Sequence, residues 1–108
     1  PRWRDDTVSL SVGRFFDVPV YSTINSPYDL VNTGGNFMSN GSGMGFSSEL
    51  VIEENGPDNK YGQSNHDESG IDSIMFRFMG INEYVKLPVL PNDGIHHIDM
   101  HMKILNET

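Results

Sequence analysis

The sequence predicts an all-β fold, an antiparallel β-sandwich or jelly-roll-like barrel of about six to eight short strands with two long loops, on three observations. Ala is absent from the 108 residues, so the best helix former is missing everywhere. Gly, Ser, Asn, Asp and Pro make up 47 of the 108 residues, which supplies turns at short intervals. Apolar residues alternate with polar ones in several segments, whereas no run of ten or more residues holds an i, i+3, i+4, i+7 pattern without a Gly or Pro inside it. Short strands joined by turn chemistry build sandwiches and barrels.

The strands follow in order. Thr7 to Val12 alternates hydroxylic and apolar residues, placing Val8, Leu10 and Val12 on one face. Phe16, Val18 and Val20 repeat the period, with Pro19 marking an edge or bulge because it has no N–H for a central ladder. Leu50 and Ile52 form a third inward pair, and Ile74, Phe76 and Phe78 a fourth set. Glu83 to Leu90 turns Val85, Leu87 and Val89 inward, again with an edge-type Pro88. Leu90-Pro91-Asn92-Asp93-Gly94 then reads as a hairpin turn into a last strand with Ile98, Met100, Met102 and Ile104 inward. Helix is expected for at most a turn or two near Pro27 to Leu30, with Ser26 as N-cap. Two long irregular segments, 32–48 and 54–70, interrupt the strands, and long loops on a rigid scaffold are where function concentrates.

Length permits a single domain over residues 1–108, and a start at Pro1 rather than Met is compatible with a segment of a longer precursor. The formal charge of −8 argues against a nucleic-acid surface, since phosphate binding needs clustered Lys and Arg. Without cysteine there are no disulfides, thiolate metal ligands or thiol nucleophiles. No apolar run approaches the roughly 18–20 residues of a membrane span. Trp3 between Arg2 and Arg4 forms a small basic-aromatic cluster, and Asn40-Gly41-Ser42 and Asn106-Glu107-Thr108 are N-glycosylation acceptor patterns compatible with secretion.

Alternation on the last strand puts His97, Asp99 and His101 on one face, a spacing at which two imidazoles and a carboxylate reach a common divalent cation. The competing reading is a solvated outer face, or one whose charge changes between pH 5 and 8. The acidic stretch from Asp58 to Asp72 has oxygen ligands for calcium at Asp58, Asn65, Asp67, Ser69 and Asp72, but lacks the EF-hand spacing. The Gly-rich 34–46 run lacks the Gly-Lys-Ser/Thr ending of a phosphate loop; it either offers apolar and amide groups to a partner or fills the core with its aromatics. No Gly-x-Ser-x-Gly elbow is present.

The expectation is a non-catalytic recognition or assembly module, extracellular or on the surface of a capsid-type assembly. It would contact a protein, a glycan or copies of itself through Asn36, Phe37, Asn40, Tyr61, His66 and Asp67, and need no cofactor. The alternative is a small metal-dependent hydrolase built on His97, Asp99 and His101, with His66 completing the ligand set.

Overall fold

The computed structural model describes residues 7–106. The expected sandwich does not form: among the described residues there are three α-helices and one open, three-stranded mixed sheet. The elements run α1 (Val8–Phe16), β1 (Met38–Ser39), β2 (Met44–Ser48), α2 (Leu50–Asn55), α3 (Glu68–Met79) and β3 (Glu83–Leu87), with one-turn 3-10 helices at Gly34–Asn36 and Ile98–Met100. The Trp3 cluster and the Asn106 glycosylation pattern fall wholly or partly outside the described residues.

The sheet order is β1-β2-β3. β1 and β2 form an antiparallel hairpin inside the segment expected to be a loop, with Met38 opposite Phe46. Asn40 closes its turn, its Oδ1 accepting from Ser42 N (2.8 Å) and Met44 N (3.1 Å), while Gly43 takes the left-handed φ of 97° that glycine tolerates. β2 and β3 pair in parallel, Gly45 beside Tyr84 and Ser47 beside Lys86. A parallel pair requires a crossover, and α2 and α3 supply it.

α3 replaces the strand expected at Ile74 to Phe78. Ile71, Ile74 and Met75 are buried at helical spacing; Phe76, expected inward, is 58% exposed. Asp67 caps the N-terminus by accepting from Gly70 N at 2.8 Å. At the other end Gly80, at φ 67°, lets its own N–H reach Phe76 O and that of Ile81 reach Met75 O, a Schellman stop. In α2 the buried residues are Val51 and Asn55, four apart, rather than the alternating Leu50 and Ile52.

α1 likewise replaces the strand expected at 7–12. It ends at Asp17, φ 52°, and Val18 N donates back to Gly13 O (3.0 Å), so residues 18–20 fold against the helix. A Cβ at Gly13 would overlap Val20 Cγ2. Residues 16–20 have no strand partner, 25–28 form a turn rather than a helix, and the 90–94 reversal joins no strands. The last predicted strand is instead the 3-10 turn at Ile98–Met100, with Ile98 buried and Met100 exposed.

The core is Val51, Ile71, Met75 and Ile81, with Leu30, Phe37, Ile52 and Tyr84 packed against it. It lies between the helical crossover and the sheet face carrying Gly45, Ser47, Tyr84 and Lys86. Gly45 is required there, because a Cβ would press to 3.1 Å of Ile81 and 3.2 Å of Phe37.

Candidate functional site

A cavity of about 500 Å3 opens between the turn-containing segment 23–32 and the 61–63 part of the long polar loop. The segment is anchored by Asn55 at the end of α2. Its buried amide accepts from Val31 N (2.8 Å) and donates to Val31 O and Val51 O (2.7 Å each), imitating a strand neighbour. The loop is anchored from the same place: Gln63 Nε2 donates to Glu54 O (2.5 Å), and His66 N to Asn55 O (2.8 Å).

Asp29 is the charged residue of this cavity. Ser64 N donates to its Oδ2 at 2.6 Å, and His66 Nε2 lies 2.7 Å from its backbone oxygen. The Ser64 amide above all holds the carboxyl below the usual carboxylate range, against the opposing effect of burial. Asp29 is therefore an anion at neutral pH, yet its Oδ1 is buried and receives no hydrogen bond. Its nearest cation candidate is His66 Nε2 at 3.8 Å.

Two more acceptors on the cavity lining share that condition. Asn32 donates through Nδ2 to Tyr84 OH (3.4 Å), leaving Oδ1 unpartnered, and Gln63 leaves Oε1 unpartnered. Buried polar atoms are normally bonded, so three unmet acceptors around one cavity form a coherent chemical feature. Tyr61, 63% exposed, completes the wall. Just behind it, Thr33 Oγ1 donates to Glu54 Oε1 (2.5 Å), and Glu54 Oε2 is also buried without a partner.

The residues expected from the sequence divide into three groups. Tyr61 lines this cavity and His66 buttresses Asp29, whereas Asp67 serves as the cap of α3. Asn36, Phe37 and Asn40 are engaged within the fold, although Phe37 also lines a cavity of about 550 Å3. Asn36 is fully buried, its Oδ1 accepting from Ser48 N (2.9 Å) and Ile98 N (3.3 Å), Phe37 stacks edge-on against Tyr84, and Asn40 closes the β1–β2 turn.

The His97, Asp99 and His101 row needed a strand, and residues 98–100 form a 3-10 turn instead. The turn splits the row. A Cβ on Gly35 would overlap His97 Nδ1 and stand 3.0 Å from Asp99 Oδ2, so these two converge on one glycine. His101 points elsewhere, its Nε2 2.8 Å from Asp93 Oδ2. Among the described residues no three His, Cys, Asp or Glu side chains are placed to hold a metal ion, and no helix is long and apolar enough to cross a membrane.

Sequence reasoning missed Asp29, Asn32 and Gln63. No periodicity or spacing marks them, and their role arises from burial and from the Asn55 anchor. No protein-family model, curated protein or solved structure matches this chain.

Proposed function

We propose that the chain is a recognition module whose cavity at Asp29, Asn32, Tyr61 and Gln63 binds an organic ammonium group. The observation that carries this reading is the set of buried acceptor oxygens without donors, Asp29 Oδ1, Asn32 Oδ1 and Gln63 Oε1. An ammonium brings three N–H donors and no acceptor, matching three acceptors, and its charge meets the Asp29 anion in a chain of net charge −8. The Tyr61 ring adds a face that attracts a cation. The ammonium belongs to a free amine or to a lysine on a protein partner.

Calorimetric titration with cadaverine and with a lysine-bearing peptide, beside pentanol and the same peptide acetylated on lysine, tests the reading. The charged probes should bind at least about tenfold more tightly than their neutral counterparts, and Asp29→Asn should abolish that margin, since a bond to a charged group contributes about 1.5–3 kcal/mol. Preference for the peptide over cadaverine would identify a protein partner. Equal binding of charged and neutral probes, or none, overturns it.

The convergence of His97 and Asp99 on Gly35 favours a second reading, hydrolysis. An imidazole beside a carboxylate is a general acid–base arrangement. On this reading a panel of ester and amide substrates, assayed with and without divalent cations, shows turnover that His97→Ala removes. Gly35→Ala, which must displace the imidazole, removes it too, while Asp29→Asn reduces binding of cationic substrates only. Absence of turnover leaves the recognition reading alone.

A further inference from the structure

Between the end of β3 and the 3-10 turn at Ile98–Met100 lies a separate cavity of about 420 Å3, which neither reading above uses. Its walls are apolar, with Leu87, Val89, Leu90, Ile98 and Met102 among them. Most of its polar lining is already engaged. Asp93 Oδ1 accepts from Ile95 N (3.0 Å), and Oδ2 accepts from His96 N (3.1 Å) and stands 2.8 Å from His101 Nε2. Ser48 Oγ lies 2.5 Å from His96 O and 2.8 Å from Asn36 Oδ1.

His96 is the exception. Its Nδ1 is buried and makes no hydrogen bond. Its backbone stands at φ 61°, the left-handed region that a non-glycine residue enters at a cost, and the bonds from Asp93 and Ser48 hold it there from both sides. The fold thus bears two separate penalties to keep an unpaired imidazole nitrogen on a residue that lines an apolar cavity. A concave, mostly apolar space of this size with one fixed polar group is the form of a small-molecule site.

We infer that this cavity binds a small neutral alcohol, its apolar body against Leu87, Val89 and Met102 and its hydroxyl on His96 Nδ1. A hydroxyl donates and accepts, so it satisfies the nitrogen in either tautomer. A carboxylate would meet the Asp93 anion in the same lining. An ammonium would leave water for apolar walls while both Asp93 oxygens are already bonded.

Titration of the full chain, followed by NMR of the histidine ring nitrogens and the Leu, Val and Met methyls, tests this with benzyl alcohol, toluene and benzoate as probes. Benzyl alcohol should shift the His96 ring and the methyls of Leu87, Val89 and Met102, and bind about tenfold more tightly than toluene or benzoate. His96→Asn keeps the backbone, because Asn tolerates positive φ, and should bring benzyl alcohol down to the affinity of toluene. Val89→Trp, which fills the space, should eliminate binding of all three. The inference is overturned by probes that leave these resonances unmoved, by toluene or benzoate binding as well as the alcohol, or by an alcohol preference that survives His96→Asn.

Discussion

Single residues here act through bonds that join distant parts of the chain, and Asp93 shows how such a residue answers to pH. It gathers the amides of Ile95 and His96 and the imidazole of His101, and the His101 bond is the largest influence holding its pKa down at about 2, against an ordinary 3.8. Because the folded value lies below the unfolded one, the stabilisation is fully present above about pH 4 and is lost as pH falls toward 2. Asp93→Asn should therefore lower the urea midpoint at pH 6, and the gap from the parent should close between pH 4 and 2. A gap that stays constant over that range would show that the carboxylate contributes no proton linkage. The same scale explains what the sequence disclosed of the site. Tyr61 and His66 could be singled out because they sit in a long polar loop, which marks them as solvent-facing or ligand-facing. Asp29 and Asn32 could not, since an Asp after Pro27-Tyr28 and an Asn before Thr33 look like turn residues. Asn55, 24 positions after Val31, is what pins their segment beside the loop.

Among the elements, the difference between expectation and structure comes down to two periods that coincide over short windows. Ile74, Phe76 and Phe78 alternate, but Ile71, Ile74, Met75 and Phe78 keep helical spacing, and the helix is chosen because Asp67 and Gly80 cap it at both ends. Over five residues alternation cannot separate the two; over twelve, with caps included, it can. β3 was legible as a strand because Tyr84 and Val85 have high strand propensity, but its faces were exchanged: Tyr84 and Lys86 lie on the core side, whereas Leu87, expected inward, is 37% exposed. α3 and β3 are then tied by Lys86, whose side chain is only 4% exposed. Its Nζ pairs with Asp72 and lies 3.1 Å from Glu68, with the Tyr84 ring 4.8 Å away. Removing Asp72 leaves a buried ammonium with a weaker, more exposed partner. Asp72→Ala should cost about 2 kcal/mol, Lys86→Met about 1 kcal/mol or less, and the double variant less than their sum, because the second change removes the stranded charge. Additive losses in chemical denaturation would mean that the pair is electrostatically idle.

At the scale of the whole molecule, the decisive quantity is how little apolar surface is fully enclosed. Among the described residues six hydrophobic ones are buried, Val51, Ile71, Ile74, Met75, Ile81 and Ile98, while the larger side chains Phe15, Phe16, Tyr21 and Phe76 face outward. Strand periodicity would put Val8, Phe76 and Met100 inside, but all three are more than half exposed, because a helix turns a period-two pattern to every side and a 3-10 turn directs Met100 outward. Two truncations to alanine therefore separate the two placements of the core. Ile71 is fully buried against Val51, Met75 and Ile81, so Ile71→Ala removes transfer energy and leaves a cavity, at a cost of about 3 kcal/mol. With a urea dependence of roughly 1–1.5 kcal/mol/M for a chain this size, the midpoint should fall by about 2 M or more. That is a large part of the stability of a domain in the lower half of the usual range of about 5–15 kcal/mol. Phe76→Ala removes a larger side chain from an exposed helix face and should change stability by only about 0.5 kcal/mol. If Phe76→Ala proved the more damaging, the apolar seam would run along the alternating set after all, and the helical crossover that places Asp29 and the cavity residues would be wrong with it.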